Sequence, residues 1–481
     1  MSTLIETLAQ EGILLCPSCR EAQWRVATES LHCDACDTHW PIRNQVPDLF
    51  NQYQLRTSAD PSLPAAEQQA LVEAILRALE LETEGAMPAR VAEIVERASA
   101  WACSDDAYTA EINDLLDRFA PSPEPVEAGP LPAPNLAPSF RLERHYLPES
   151  LTVGSRICAN MRVTNSGDAP WSSRLAAGLL LSASWLGTTA ASEMSAVEVR
   201  FPIDIAPGRT ISLPMPIIAP QTPGAHQLRL QLKRIDTGEP VGTAVDIDVR
   251  VRPLASKPSL WHRLTSTTAP QDPAVPVEIN PQIADYGEDH AAGTALIERS
   301  LQLAGVTQAR ILEVGSGTHP HTAWLTDHEV VALDISSPLL ELGALYFGDR
   351  FSERLGLLCA DAFAAPFAPE SFDMVCMFSA LHHFQEPEAI LRQLSHLLKP
   401  NGQLAVMCEP VGESLEQPET IRDLLKGINE QVFSLDEYQQ IFARAGLCPT
   451  QIRIDGASLK ALLIKQDAPH DRGPITADRQ A

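Results

Sequence analysis

Two groups of residues in this chain have the types and spacing to do chemistry. The first is Ile311-Leu-Glu-Val-Gly-Ser-Gly317, followed by Asp334 at the end of a second apolar run, Val330–Leu333. A strand that runs into a glycine-rich turn lets backbone approach a ligand closely. An acid ending the next strand can accept hydrogen bonds from ribose hydroxyls. Together they read as a site for a nucleotide-like ligand at the strand ends of an open α/β sheet. The second group is Cys16-Pro-Ser-Cys19 and Cys33-Asp-Ala-Cys36, two CxxC units thirteen residues apart. Such knuckles can present four thiolates to Zn2+ as a closed, structural centre. The gap is shorter than the usual spacing of about fifteen to twenty, but a strand pair, Gln23–Val26 and Leu31–Cys33, fits inside it. Two disulfides or a redox CxxC are the competing readings. Composition argues against the first, and a redox CxxC usually stands alone on a βα unit.

The elements that must position these groups fall into distinct stretches. Residues 1–52 form a small unit around the four cysteines. Residues 64–120 read as helices, with Leu71, Ala74, Ile75, Ala78 and Leu79, then Val91, Ile94, Val95 and Ala98, then Ile112, Leu115, Leu116 and Phe119 at helical spacing. Residues 121–138 are a Pro-rich linker, and 254–280 a second connector. Between them, residues 139–253 alternate short β-type runs with turn signals such as Asn165-Ser-Gly-Asp168, which predicts an all-β sandwich. Residues 281–466 alternate strand and helix. The strands fall at Arg310–Val314, Val330–Leu333, Gly356–Cys359, Phe372–Phe378 and Gln403–Cys408, with a hairpin at Gln451–Ile454 and Ala461–Lys465. That pattern predicts a parallel sheet covered by helices on both faces. The polar tail 467–481 reads as disordered.

Composition narrows the function. A chain of 481 residues is long enough for about two to four domains. A net charge of −26 argues against an extensive nucleic-acid surface, which needs clustered Lys and Arg. The longest apolar runs, such as Leu175–Leu181, are far short of the roughly 20 residues that span a bilayer. The N-terminus lacks a basic n-region and a cleavage-like site, so no signal peptide is expected. The six scattered cysteines read as reduced, buried thiols. These features together point to the cytoplasm.

Three resemblances follow from the motifs. Cys16 to Cys36 with Trp40-Pro-Ile-Arg-Asn-Gln-Val-Pro-Asp-Leu-Phe50 resembles the zinc ribbons that partner tRNA and protein methyltransferases, where Asn44-Gln45 stands for the usual Asp-Gly. Asn165 to Trp171, Ser182 to Trp185, Ile205 to Gly208 and Ala219 to Gly224 resemble bacterial immunoglobulin-like domains that often accompany surface-polysaccharide enzymes. That resemblance allows either a spacer with core tryptophans or a module that binds a glycan or partner protein. Residues 285–465 resemble class I S-adenosylmethionine-dependent methyltransferases, through motifs in order: Glu313-Val-Gly-Ser-Gly317, Asp334-Ile335, Asp361-Ala-Phe363, Phe367 to Asp373, Ser379-Ala-Leu-His-His383 and Leu398-Lys-Pro-Asn-Gly402. The implied architecture is a Rossmann-like seven-stranded fold behind an immunoglobulin-like sandwich and a zinc ribbon with a helical segment.

The methyltransferase resemblance implies that Glu313, Gly315, Ser316, Gly317, Asp334, Ile335, Asp361, Ala362 and Ser379 hold S-adenosylmethionine, with Tyr286 capping its carboxylate. His383 and His382 stand where a general base would serve a hydroxyl acceptor, with loop packing as the competing reading. Glu409 points toward the acceptor pocket, or caps its strand. His319 replaces a third glycine found in many members, and could contact substrate. A dinucleotide site is disfavoured, because counting GxGxxG from Gly315 puts Pro320 at the last glycine. The expected acceptor is a glycan, a lipid-linked saccharide or another small metabolite. The alternatives are tRNA, rRNA or a translation factor, and an inert scaffold that recruits partner proteins through its ribbon, helices or sandwich.

Overall fold

The computed structural model describes residues 3–50, 65–99, 138–252 and 287–466, apart from 146, 148–149, 155, 174–177, 187–196, 349–353, 385 and 413–430. Tyr286, the helix expected at 112–119, residues 121–137 of the linker, the connector 254–280 and the tail 467–481 lie outside the described residues. Among the described residues, no helix is long and apolar enough to cross a membrane.

The N-terminal unit begins with helix α1 (Thr3–Gln10), which buries Leu4, Ile5, Leu8 and Ala9 on one face. It continues as a four-stranded sheet of β1 (Trp24–Val26), β2 (Ser30–Cys33), β3 (Thr38–Arg43) and β4 (Val46–Pro47). The β3–β4 turn places Asn44 at φ 45° and Gln45 at φ 70°. Two successive left-handed residues are what a tight hairpin needs, and the second position normally favours glycine. Helices α2 (Ala65–Ala78) and α3 (Met87–Ser99) then pair through Val72, Ile75, Leu76, Val91, Ile94 and Val95, and pack with Leu342 of the C-terminal domain.

Residues 138–252 build two sheets. One holds β5 (Phe140–His145), β7 (Arg156–Asn165) and β10 (Thr210–Ile218) in the order β10-β7-β5. The other is ordered β6-β12-β11-β8-β9, from β6 (Ser150–Thr152), β8 (Leu179–Trp185), β9 (Val197–Arg200), β11 (Gly224–Arg234) and β12 (Pro240–Arg252). Pro214 and Pro216 lie in β10, an edge strand, where a missing N–H costs no ladder bond. Trp171, Leu213, Met215, Leu228 and Leu230 belong to one core shared by both sheets.

The C-terminal domain opens with α4 (Gly287–Leu303). Its sheet consists of β13 (Arg310–Val314), β14 (Glu329–Asp334), β15 (Leu355–Cys359), β16 (Phe372–Phe378), β17 (Leu398–Pro410), β18 (Leu447–Asp455) and β19 (Ser458–Lys465), with α5 (Ser337–Phe347), α6 (Pro387–Ser395) and α7 (Leu435–Arg444) between strands. The order is β15-β14-β13-β16-β17-β19-β18. Five strands are parallel, and β19 runs antiparallel to both neighbours. The strand order reverses between β13 and β16, which opens a crevice at their C-terminal ends. The predicted strands lie at these places, as expected for apolar runs buried on both faces.

The N-terminal unit is built onto this sheet. Leu4, Ile5, Leu8, Leu14, Leu31 and Leu49 share one core with Leu358, Phe367, Phe372 and Val375. Backbone bonds of 2.8 Å run from Leu15 N to the Pro366 carbonyl, from Ala368 N to the Ile13 carbonyl, and from Leu49 N to the Cys359 carbonyl. The last of these covers edge strand β15, whose unpaired backbone would otherwise invite other strands. Leu8 is fully buried in the seam, and Leu8→Ala should cost about 2–5 kcal/mol of stability. Urea denaturation of the full chain checks this. A loss of about 0.5 kcal/mol or less, typical of a surface site, would show that the seam is not part of the folding core.

Candidate active site

The glycine-rich loop after β13 is held by two buried acids. Glu313, 1% exposed, accepts from His321 N (2.8 Å), Thr322 N (2.8 Å) and the Thr322 hydroxyl (2.6 Å). It therefore caps the short 3-10 helix His321–Trp324 and fixes where the loop ends. Burial pushes its carboxyl up to about 7, and the three donors offset only part of that cost. Asp334 accepts from Gly317 N (2.9 Å) with one oxygen and from Ser336 N (2.8 Å) with the other. It ties the glycine loop to the start of α5, and burial raises its pKa against those backbone bonds.

Two close approaches require glycine. A Cβ on Gly315, at φ 71°, would stand 2.8 Å from the Ala380 Cβ, and one on Gly343 of α5 would stand 2.5 Å from the Thr318 carbonyl oxygen. Among the described residues, the hydroxyls of Ser316 and Ser336 are buried beside this loop with no hydrogen-bond partner. Buried polar atoms rarely stay unpaired, so a polar ligand lying along the loop fits their donors and acceptors. Ile335 is half-buried next to Asp334. Asp361 caps its own turn by accepting from Phe363 N at 2.9 Å, and Ala362 is buried in the shared core.

The other wall is made where β16 and β17 end. A register shift in the β17–β19 pairing between Val406 and Glu409, with Cys408 at φ 57°, turns Glu409 inward. Ser379, at φ 44°, turns the facing loop. Such left-handed residues cost about 1–3 kcal/mol and persist only where surroundings enforce them. Here the N–H groups of Ala380 (2.8 Å), Leu381 (2.8 Å) and His382 (3.0 Å) all converge on the Glu409 carboxylate, as does His382 Nδ1 (2.8 Å). Burial disfavours the Glu409 charge, but His382 and these N–H groups outweigh it and hold the carboxyl below its ordinary range.

Glu409 was expected to face the acceptor or to cap its strand; it is fully buried and spends both oxygens on the facing loop, which it positions. His382 is buried against it, while His383 is exposed beside it with ring centroids 4.0 Å apart. Ser379 donates its hydroxyl to the Cys408 carbonyl (2.9 Å) and lies 3.1 Å from His290 Nε2. His290 of α4 stacks with His321 and Phe378, at centroid distances of 4.5 and 5.9 Å. No spacing in the sequence marked this histidine pair, because its members come from different elements. Lys460, buried on β19, ion-pairs with Asp289 and holds the start of α4 in place.

His319, which stands where many members carry a third glycine, packs its ring against Tyr346 (4.7 Å), Phe347 (5.4 Å) and Trp324 (5.9 Å), and burial lowers its pKa. The imidazole fills space between the loop and the end of α5. The four cysteines come together: Cys16 and Cys36 sulfurs are 3.7 Å apart, Cys19 and Cys33 3.6 Å, and all four lie within 4.8 Å. Tetrahedral Zn–S bonds of about 2.3 Å set sulfurs about 3.8 Å apart, so the set fits one zinc ion. A polar cleft of about 580 Å³ at Arg310, Glu329, Asp373 and Lys399 is at the opposite, N-terminal end of the strands, away from this chemistry.

The geometry agrees with comparisons to known proteins. Residues 312–406 match a family model described as a methyltransferase domain. The chain is 33% identical over 150 residues to 27-O-demethylrifamycin SV methyltransferase of Amycolatopsis mediterranei, covering 29% of this chain and 54% of that protein. It is 35% identical over 106 residues to demethylmenaquinone methyltransferase of Renibacterium salmoninarum, covering 22% and 43%. The chain thus spans about half the length of these curated relatives. A crystal structure of 1,6-didemethyltoxoflavin-N1-methyltransferase from Burkholderia thailandensis, with 1,6-didemethyltoxoflavin and S-adenosylhomocysteine bound, aligns at TM-score 0.32 and 17% identity, covering 38% of this chain and 81% of that one. Sheet order, glycine loop and family match together give the C-terminal part of the chain the make-up of a methyltransferase domain.

Two predictions test the loop. Gly343→Ala should push Thr318 and the glycine loop by overpacking, at about 1–3 kcal/mol. Calorimetry with S-adenosylhomocysteine would then read a roughly ten- to hundredfold weaker Kd, and unchanged binding would refute the close approach. Glu313 has a folded pKa near 7, above its ordinary 4.5, so its contribution to stability is full below about pH 4.5 and is lost as pH rises through about 7. Glu313→Gln should flatten that fall in a series of urea midpoints against pH.

Proposed function

We propose that the chain transfers a methyl group from S-adenosylmethionine to a small acceptor: a glycan, a lipid-linked saccharide or another small metabolite. The carrying observation is the gathering of Glu313, Gly315, Gly317, Asp334 and Asp361 at the C-terminal ends of β13, β14 and β15, beside the point where strand order reverses. Asp334 would hold the ribose hydroxyls, Asp361 and Ala362 the adenine edge, and Gly315, Ser316 and Gly317 the methionine end, with Ser379 on the facing wall. S-adenosylmethionine supplies an already activated methyl group, so the protein mainly aligns the acceptor and excludes water.

For a hydroxyl acceptor, His382 is the base we favour over His383. Its Nδ1 bond to Glu409 sets that nitrogen as the proton carrier and leaves Nε2 to take the acceptor's proton. The two relatives above are named for small-molecule acceptors, and the net charge of −26 disfavours RNA. We assign structural Zn2+ to Cys16, Cys19, Cys33 and Cys36. The ribbon and helical pair turn apolar faces onto the methyltransferase domain, which leaves the β-sandwich as the module for a glycan or partner protein.

Labelled-methyl transfer into fractionated cell extract tests the reading. Label should enter a small-molecule or glycan fraction, and Asp334→Ala should abolish it. His382→Ala should lower kcat by about 100-fold or more with little change in KM for the cofactor. Label found only in RNA or a translation factor would overturn the acceptor class. Absence of S-adenosylmethionine binding would leave the domain a scaffold.

A further inference from the structure

The ribbon carries a second set of ligand-type side chains beside its cysteines. His32 on β2 and His39 on β3 are directly opposed in the antiparallel register, so both side chains leave the same face. Their ring centroids are 4.1 Å apart. Asp37 lies in the turn between them at φ 58°, and its Oδ1 is 2.8 Å from His32 Nε2. One donor atom from each of the three lies within 4.8 Å of the others. His32 is only 8% exposed and has its other nitrogen, Nδ1, 2.8 Å from Asp34 Oδ1. The Arg25 guanidinium pairs with that same oxygen and stands 3.0 Å from Nδ1. A carboxylate that accepts a hydrogen bond from Nδ1–H fixes the ring so that Nε2 faces Asp37, and metal-ligating histidines are commonly oriented this way.

We propose that His32, Asp37 and His39 form a second metal site on the ribbon, which takes one Zn2+ or a similar borderline divalent cation. Two imidazoles and one carboxylate make three ligands and leave a fourth position to water. The donors are nitrogen and oxygen, whereas the neighbouring centre is all sulfur. The two ions should therefore differ in exchange: the thiolate-bound ion stays through mild chelation and the second is lost.

The test uses the full chain after mild chelation. Elemental analysis should find one zinc per chain, and calorimetric titration should then add one more. His39→Ala and Asp37→Asn, both at exposed positions, should each weaken the added step by tenfold or more while keeping the first zinc. Cobalt serves as an independent readout on the unmodified protein. Its second equivalent should add visible bands without the thiolate charge-transfer absorption of the first. Uptake of no second ion, uptake unchanged in both variants, or a second cobalt with thiolate charge transfer would each overturn the site and leave His32 as a histidine paired to two aspartates.

Discussion

The apolar seam between the N-terminal unit and the edge of the seven-stranded sheet is the contact on which the rest of this molecule depends. It buries one face of α1 and the leucines of that unit against Leu358, Phe367 and Phe372. Hydrophobic burial is the dominant favourable term in folding, and a unit of about fifty residues has little core of its own. The seam also decides what the unit touches next. Arg20 donates to the carbonyls of Ala364, Ala365 and Phe367, in the loop that follows Asp361. Asn44 donates to the buried Glu341 of α5 at 2.8 Å, and Ser337 holds the other Glu341 oxygen at 2.6 Å. The N-terminal unit thus braces the two segments that follow Asp361 and Asp334. An acid at position 44 would set two carboxylates against each other here.

The opposite wall has a different organising principle. One buried carboxylate, Glu409, gathers four hydrogen bonds from a loop that would otherwise leave its N–H groups unpaired. Left-handed residues at Ser379 and Cys408 bend the strand ends so that this convergence is possible. The strain and the buried charge are each costly alone, and each is compensated by the other. The result is a rigid loop that carries His382 in one orientation.

Much of this was legible in the chain. The strand–glycine–acid order is local, because a tight turn needs Gly315 and Gly317 at positive φ and a buried strand needs a continuous apolar run. The two CxxC units are also local signals, and their sulfurs do converge. The strand positions of the C-terminal domain followed from the same patterns. The histidines were less legible. His319, His321 and His382 all lie in motif segments, yet one packs among aromatics, one stacks on His290 and one pairs with Glu409.

The sequence by itself determined the order of elements, the glycine loop and the cysteine set, since each depends on residues within a turn or two of one another. Only the tertiary structure decided that Glu409 anchors the facing loop, that His319 packs among aromatics, and that the N-terminal unit sits on the loop after Asp361. Those outcomes depend on which faces meet across separations of tens to hundreds of residues, as Arg20 with Ala365 and Asn44 with Glu341 illustrate. Side-chain type limits what a residue can bond, and burial by distant elements decides which of those bonds it makes.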